Sequence, residues 1–160
     1  MCEHFPARPI SVWDSEYGCA TPVASSRRSR PTRWLPFLLK TANIAVDILV
    51  RLRSNLCLWG EPGVYSGKGC PRKHGDKFKL NEPTTWGEAA SIFEVDDPKL
   101  KRVRVSLWKN LHFRKAVTRP MSLLRVERLD VQGNQRVSKP LWLAWVGEEM
   151  PPLEEVWRQY

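Results

Sequence analysis

Lys101-Arg102-Val103-Arg104-Val105-Ser106-Leu107 alternates apolar with polar residues. Val103, Val105 and Leu107 fall on one side, and Arg102, Arg104 and Ser106 on the other. A period of two belongs to a strand with one buried and one solvated face. Met121 to Leu129 alternates again, with Leu124 and Val126 opposed to Leu123, Arg125 and Glu127. Leu141-Trp142-Leu143-Ala144-Trp145-Val146 is apolar throughout, as a strand covered on both faces requires. Gly133-Asn134 marks a turn between these last two. Sequential strands with short connections read as an antiparallel meander. Arg102 and Arg104 share one face of it, which suits them either to follow a phosphate backbone or to lie in solvent as an ordinary sheet face.

Working outward, Asp47 to Arg53 is a further strand, with Ile48, Val50 and Leu52 facing one way and Leu49, Arg51 and Arg53 the other. Ile10-Ser11-Val12-Trp13 is a short alternating run that stops at Asp14. Trp86 to Glu94 reads as loosely helical, and Pro36 to Ala42 as a short helix with proline in its first turn. Residues 21–34, rich in serine and arginine and without period, read as a disordered insert. At the end of the chain Leu153, Val156, Trp157 and Tyr160 stand at i, i+3, i+4 and i+7, behind a first turn of proline and glutamate. That is a helix start. It stops after about two turns, which is marginal unless the helix packs. Two readings compete, a docked terminal helix and a chain cut within a longer one, and the absence of a C-cap signal favours the cut.

The most basic stretch is Tyr65-Ser66-Gly67-Lys68-Gly69-Cys70-Pro71-Arg72-Lys73-His74-Gly75-Asp76-Lys77-Phe78-Lys79-Leu80. Its five Lys and Arg stand against Asp76 alone, a local charge of +4. Glycines and a proline make its first part an open, turning loop whose backbone can come close to an anion. Its last part alternates, with Phe78 and Leu80 opposed to Lys77 and Lys79. Lys68, Arg72, Lys73, His74, Lys77 and Lys79, with Arg102 and Arg104, are therefore the candidate contacts to a phosphate backbone.

The 160 residues carry a net charge of +9, unevenly placed. Lys101 to Lys115 holds six basic residues and no acid, whereas Gly147 to Tyr160 holds four glutamates against Arg158. Such polarity suits a nucleic acid or another anionic surface. No apolar run reaches the roughly 20 residues of a membrane span, and no charged-then-apolar leader opens the chain. A cytoplasmic protein with no membrane partner is expected. Cys2, Cys19, Cys57 and Cys70 form no C-x-x-C pair, and Cys70-x3-His74 fits no common zinc module. Free thiols are expected.

Asp14, at the end of a strand and before a helix-starting Ser15-Glu16, fits two roles. It caps the helix, or it holds a metal at a sheet edge as nuclease carboxylates do. Spacing alone favours the cap.

Trp13-Asp14-Ser15-Glu16-Tyr17-Gly18, Asp47 to Arg53, Tyr65-Ser66-Gly67-Lys68-Gly69 with Pro71 to Phe78, and the Pro151 to Tyr160 helix together resemble a bacterial insertion-sequence transposase of the DDE type with a β-rich insertion in its catalytic core. The resemblance covers about residues 10 to 20 and 36 to 160 and is most specific at 65–80. It implies an α+β fold, a partial ribonuclease-H-like core with an inserted antiparallel β-rich region. Residues 1–53 would be the core remnant, 54–146 the basic insertion and 147–160 the start of a core helix. It implies Mg²⁺, held by two aspartates and a glutamate, which clamps the attacking and leaving oxygens of phosphoryl transfer. It implies DNA as partner, both transposon ends and target, and leaves an oligomer open for the full-length family.

By this resemblance Asp14 matches the second aspartate, the candidate catalytic and metal-holding residue. Tyr160 matches the first residue of the family's Tyr-x2-Arg-x3-Glu signature. Glu154 and Glu155 precede that signature and do not replace its glutamate. The Ser/Arg-rich stretch departs from the family pattern, and no first aspartate stands before Ile10. One carboxylate of three is not expected to hold two Mg²⁺ ions, so a transposase fragment without cleavage activity is the first reading. A stand-alone basic nucleic-acid-binding module is the second. A small metalloenzyme built on Cys70, His74 and Asp14 is the third.

Overall fold

The strand that begins at Lys101 does not stop at Leu107 but runs on to Phe113. The computed structural model describes residues 10–14, 46–65, 67, 69–129, 139–148 and 150–159. Within them the strands are β1 (Ile10–Asp14), β2 (Asp47–Leu52), β3 (Cys57–Trp59), β4 (Lys77–Lys79), β5 (Ser91–Asp97), β6 (Lys101–Phe113), β7 (Ala116–Arg128) and β8 (Leu141–Val146). A short helix, α1 (Leu153–Val156), runs on into a 3₁₀ turn at Trp157–Gln159. The strands form one sheet in the order β1-β2-β8-β7-β6-β3-β4, with β5 branching onto β6. Only β1 and β2 pair in parallel among the described strands; the other pairings are antiparallel. The sheet curls into a half-barrel. The meander read from the sequence is present as β6-β7-β8.

The expected α+β fold with a partial ribonuclease-H-like core is corrected by this sheet, which is mostly antiparallel and carries one short helix among the described residues. The reason lies in the pairing. Ile48–Leu52, expected in a core, pairs antiparallel with Trp142–Val146, expected in an insertion. Both carry buried apolar residues on both faces, so each satisfies the other's backbone and side chains within a single sheet. A second correction concerns Trp86 to Glu94. In place of a helix, Pro83–Thr85 makes one 3₁₀ turn and Ser91–Asp97 is β5, with Phe93, Val95 and Asp97 partly buried between exposed neighbours. Period two from Phe93 onward wins over weak helical spacing before it.

Alternation builds two cores, one on each face. Ile48, Val50, Leu52, Leu58, Phe78, Leu80, Trp108, Leu123, Trp142 and Ala144 pack on one face. Leu49, Val103, Val105, Leu107, Leu124, Leu143 and Trp145 pack on the other. Covering each Leu or Val of these sets contributes about 1.5–3 kcal/mol before entropy is counted. Val156 and Trp157 of the terminal helix close the second core, so that helix is docked, with Glu154 and Glu155 exposed in its first turn. Tyr160, the Pro36–Ala42 helix, the 21–34 insert and the Gly133-Asn134 turn lie outside the described residues.

One irregularity in β6 decides where His112 points. Between Trp108 and Leu111 the register of β6 with β7 shifts, and Asn110 there takes a φ of 59°. An extra residue in a strand reverses the facing of every residue after it. Leu111 and Phe113 thereby join Trp108 in the first core, and His112 between them is turned to the opposite face.

A candidate nucleic-acid interface at the end of the sheet

Register assembles this site. Trp59 of β3 stands opposite Lys77 of β4 and also opposite His112 of β6. Leu58 and Phe78 point into the first core, so the neighbours Trp59 and Lys77 must point away from it. Lys77, Trp59 and His112 therefore form one row across three strands. The Lys77 ammonium lies 5.4 Å and the Arg114 guanidinium 5.9 Å from the Trp59 ring centre, both within cation–π range. Arg114 comes from the β6–β7 turn, two residues beyond His112.

The 61–74 loop is drawn back onto this row at both ends of its neck. Gly60 N–H donates to the Asp76 carbonyl at 2.9 Å, and Gly75 N–H donates to the Gly60 carbonyl at 2.9 Å. A side chain at Gly75 would run into the Glu61 backbone, so glycine is required there by space. Farther out, Gly67 and Gly69 take φ values of 79° and 81°, which glycine adopts at no steric cost. The Tyr65 hydroxyl donates to the Gly69 carbonyl at 2.6 Å. His74, the last loop residue before the neck, stacks at 5.3 Å on His112 and lies 5.3 Å from Trp59. Its Nδ1 is 3.0 Å from His112 Nε2. Burial is the main cause holding His112 below its ordinary value of 6.5; His74 adds to the depression and Glu61 opposes it.

Arg72 and Lys73, just before His74 in the sequence, are exposed. Among the described residues no carboxylate forms an ion pair with Arg72, Lys73, Lys77 or Arg114. Two cations and two imidazoles thus meet around the Trp59 ring, where an anion could meet several at once.

The other expected contacts fare differently. Lys79 is bound to Glu82 at 2.6 Å, and that hydrogen bond raises its pKa. Arg102 and Arg104 donate to the two oxygens of Glu94, each at 2.8 Å. The ladder explains it: Glu94 is opposite Arg104, Asp96 opposite Arg102 and Asp97 opposite Lys101. Hydrogen bonds from Arg104 and then Arg102 hold the Glu94 carboxyl below its ordinary range. Arg125, whose guanidinium lies 4.4 Å from the Trp86 ring centre, is paired with buried Glu127 at 2.6 Å. Lys68 lies outside the described residues. Asp14 is the last residue of β1, opposite Arg51 on β2; its side chain lies outside them too.

No family model, curated protein or solved structure matches this chain.

Trp59, His112 and Arg114 were not singled out by sequence. Trp59 lies 15 positions from His74 and 53 from His112 along the chain, and only the β3–β6 bridge brings Trp59 and His112 together. The apolar-flanked Leu111-His112-Phe113 could have drawn notice to His112, since a histidine between two core residues of a strand must face outward. Cys57 and Cys70 are free thiols, as expected. Among the described residues no three His, Cys, Asp or Glu side chains come together in a set that could hold a metal ion. No helix among the described residues is long and apolar enough to cross a membrane.

Proposed function

We propose that this chain is a DNA-holding part of a DDE-type transposase, gripping the sugar-phosphate backbone at the corner around Trp59. The observation that carries the reading is the meeting of Lys77 and Arg114 over the Trp59 ring without a carboxylate partner among the described residues, with exposed Arg72 and Lys73 just before His74 in the sequence. A phosphate backbone carries closely spaced charges, and a cluster of this kind releases condensed counter-ions as it binds. Trp59 holds two of the cations over its ring and so fixes where they sit. The glycine-rich loop beside them leaves backbone open to close approach. The transposase part of the reading rests on the sequence resemblance, in which Asp14 closes a strand, as it does in β1.

The test is the affinity of the purified chain for a duplex oligonucleotide as salt is varied. A steep linear fall of log K with log salt is expected, about 0.9 for each phosphate contacted. A flat line, or no binding at low salt, would end the reading. With Mg²⁺ or Mn²⁺ added no cleavage is expected, and cleavage abolished by Asp14→Ala would overturn that part.

One observation favours the second reading, a free-standing binding module without chemistry. The sheet is buried on both faces and its terminal helix is docked in the second core, as a unit that folds alone requires. A soluble chain with one cooperative unfolding transition supports it, and an insoluble or molten product speaks against it.

A further inference from the structure

The contact between His74 and His112 constrains protons. At 3.0 Å, Nδ1 of His74 and Nε2 of His112 are in hydrogen-bond range, and one of them must offer a lone pair to the other's N–H. The pair as it stands therefore cannot be protonated on both rings. Protonating both would set two N–H groups against each other between rings 5.3 Å apart. Lys77 and Arg114 sit over the adjoining Trp59 ring, and Arg72, Lys73 and Lys115 stand nearby in sequence on the same loop and turn. On the other side of the balance are Glu61, which favours a charged His112, and Asp76 at the neck. His112 is buried to 3% exposure on rigid β6, whereas His74 is partly exposed on the loop. Without an anion the second proton has an unfavourable place to go. A phosphate against this corner supplies the opposing charge.

We propose that DNA binding here takes up a proton on the His74–His112 pair, so that the grip tightens as the solution becomes more acidic. The inference rests on the DNA-holding reading of the same corner and adds its regulation. His74 turns from His112 toward the phosphate and carries the charge. The His112 side of the contact is released, not transferred.

The experiment measures affinity of the full chain for one duplex oligonucleotide at fixed low salt from pH 8 to pH 5.5, with calorimetry in two buffers of different ionisation enthalpy. For the unaltered chain, affinity should rise toward low pH, by at most about tenfold per unit for one coupled proton, and the calorimetry should count proton uptake near pH 6.5 approaching one. His74→Asn places an amide where Nδ1 stands and keeps a partner for His112 without a titrating ring. It should lose both the pH slope and the uptake. Lys77→Gln should weaken binding at every pH and keep the slope. If the chain binds with a steep salt dependence but no pH slope, or if His74→Asn keeps the slope, the proton inference is overturned alone. If the chain does not bind at any pH, the DNA-holding reading falls with it.

Discussion

Along the first half of β6, Arg102 and Arg104 lie across the ladder from β5 and share the two oxygens of Glu94. Past the bulge at Asn110 the same strand places His112 beside Trp59, with Lys77 and Arg114 over the ring and no carboxylate paired to either among the described residues. With the Arg114-Lys115 turn counted, the second half is as basic in sequence as the first. They differ because of the neighbouring strand. β5 brings Glu94, Asp96 and Asp97 against the first half, while β3 and β4 bring an aromatic ring and another lysine against the second. A charge on a strand is available to a partner only if the strand next to it does not already answer it.

Removing the corner cations should break this contrast most visibly. Lys77→Gln with Arg114→Gln should cost tenfold or more in duplex affinity at low salt and reduce the log–log salt slope by about 2. Arg102→Gln with Arg104→Gln should change affinity less than threefold. Fluorescence anisotropy across a salt series reads both, and equal losses would erase the distinction between the two halves. Next in size is Gly75→Ala. The added carbon meets the Glu61 backbone, and opening the neck should cost about 1–3 kcal/mol in denaturant unfolding and loosen the loop that carries Arg72 and Lys73.

Glu94→Gln sharpens the contrast in the other direction. It frees two guanidiniums, so DNA affinity at low salt should rise by roughly twofold with a steeper salt slope; no gain would mean that Glu94 does not restrain them. The smallest effects are in pH and stability. The folded Glu94 carboxyl titrates below its ordinary 4.5, so its contribution is present above that value and is lost as pH falls through the folded value. Burial raises Glu127 above 4.5, against the pull of Arg125 and then Arg104, so its contribution runs oppositely, present in acid and lost as pH rises through the folded value. His112, lowered from 6.5 by burial and then by His74, contributes above 6.5 and loses that contribution as pH falls. Melting temperatures from pH 8 to pH 4 should therefore begin to drop just below 6.5. Glu94→Gln should flatten the part of the drop below 4.5, and Glu127→Gln should steepen the part just above 4.5.

Much of the sheet was legible in the sequence, because strands with a buried face write their period into the chain. Ile10–Trp13, Asp47–Arg53, Lys77–Leu80, Lys101–Leu107, Met121–Leu129 and Leu141–Val146 fall on strands, give or take a residue at the ends, and the last is covered on both faces as its lack of alternation implied. What the period does not carry is which strand lies next to which. β8 pairing back to β2 turned the expected inserted region and the expected core into one sheet. The same gap hid the charge balance. With Trp86 to Glu94 read as helix, nothing set Glu94 against Arg104, and a compensated ribbon looked like a phosphate track. The corner around Trp59 was half legible: Lys77, His74, Arg72 and Lys73 stood out by composition, while Trp59, His112 and Arg114 needed the register of three strands and a bulge.

The most direct measurement is a titration of the ¹⁵N-labelled chain with a short duplex, followed residue by residue by NMR. Shifts should concentrate at Trp59, Arg72 to Lys77 and His112 to Lys115, including the Trp59 indole N–H, with Glu94 to Arg104 nearly still. Shifts concentrated on the β5–β6 ribbon, or spread evenly over the basic surface, would contradict a grip at the Trp59 corner.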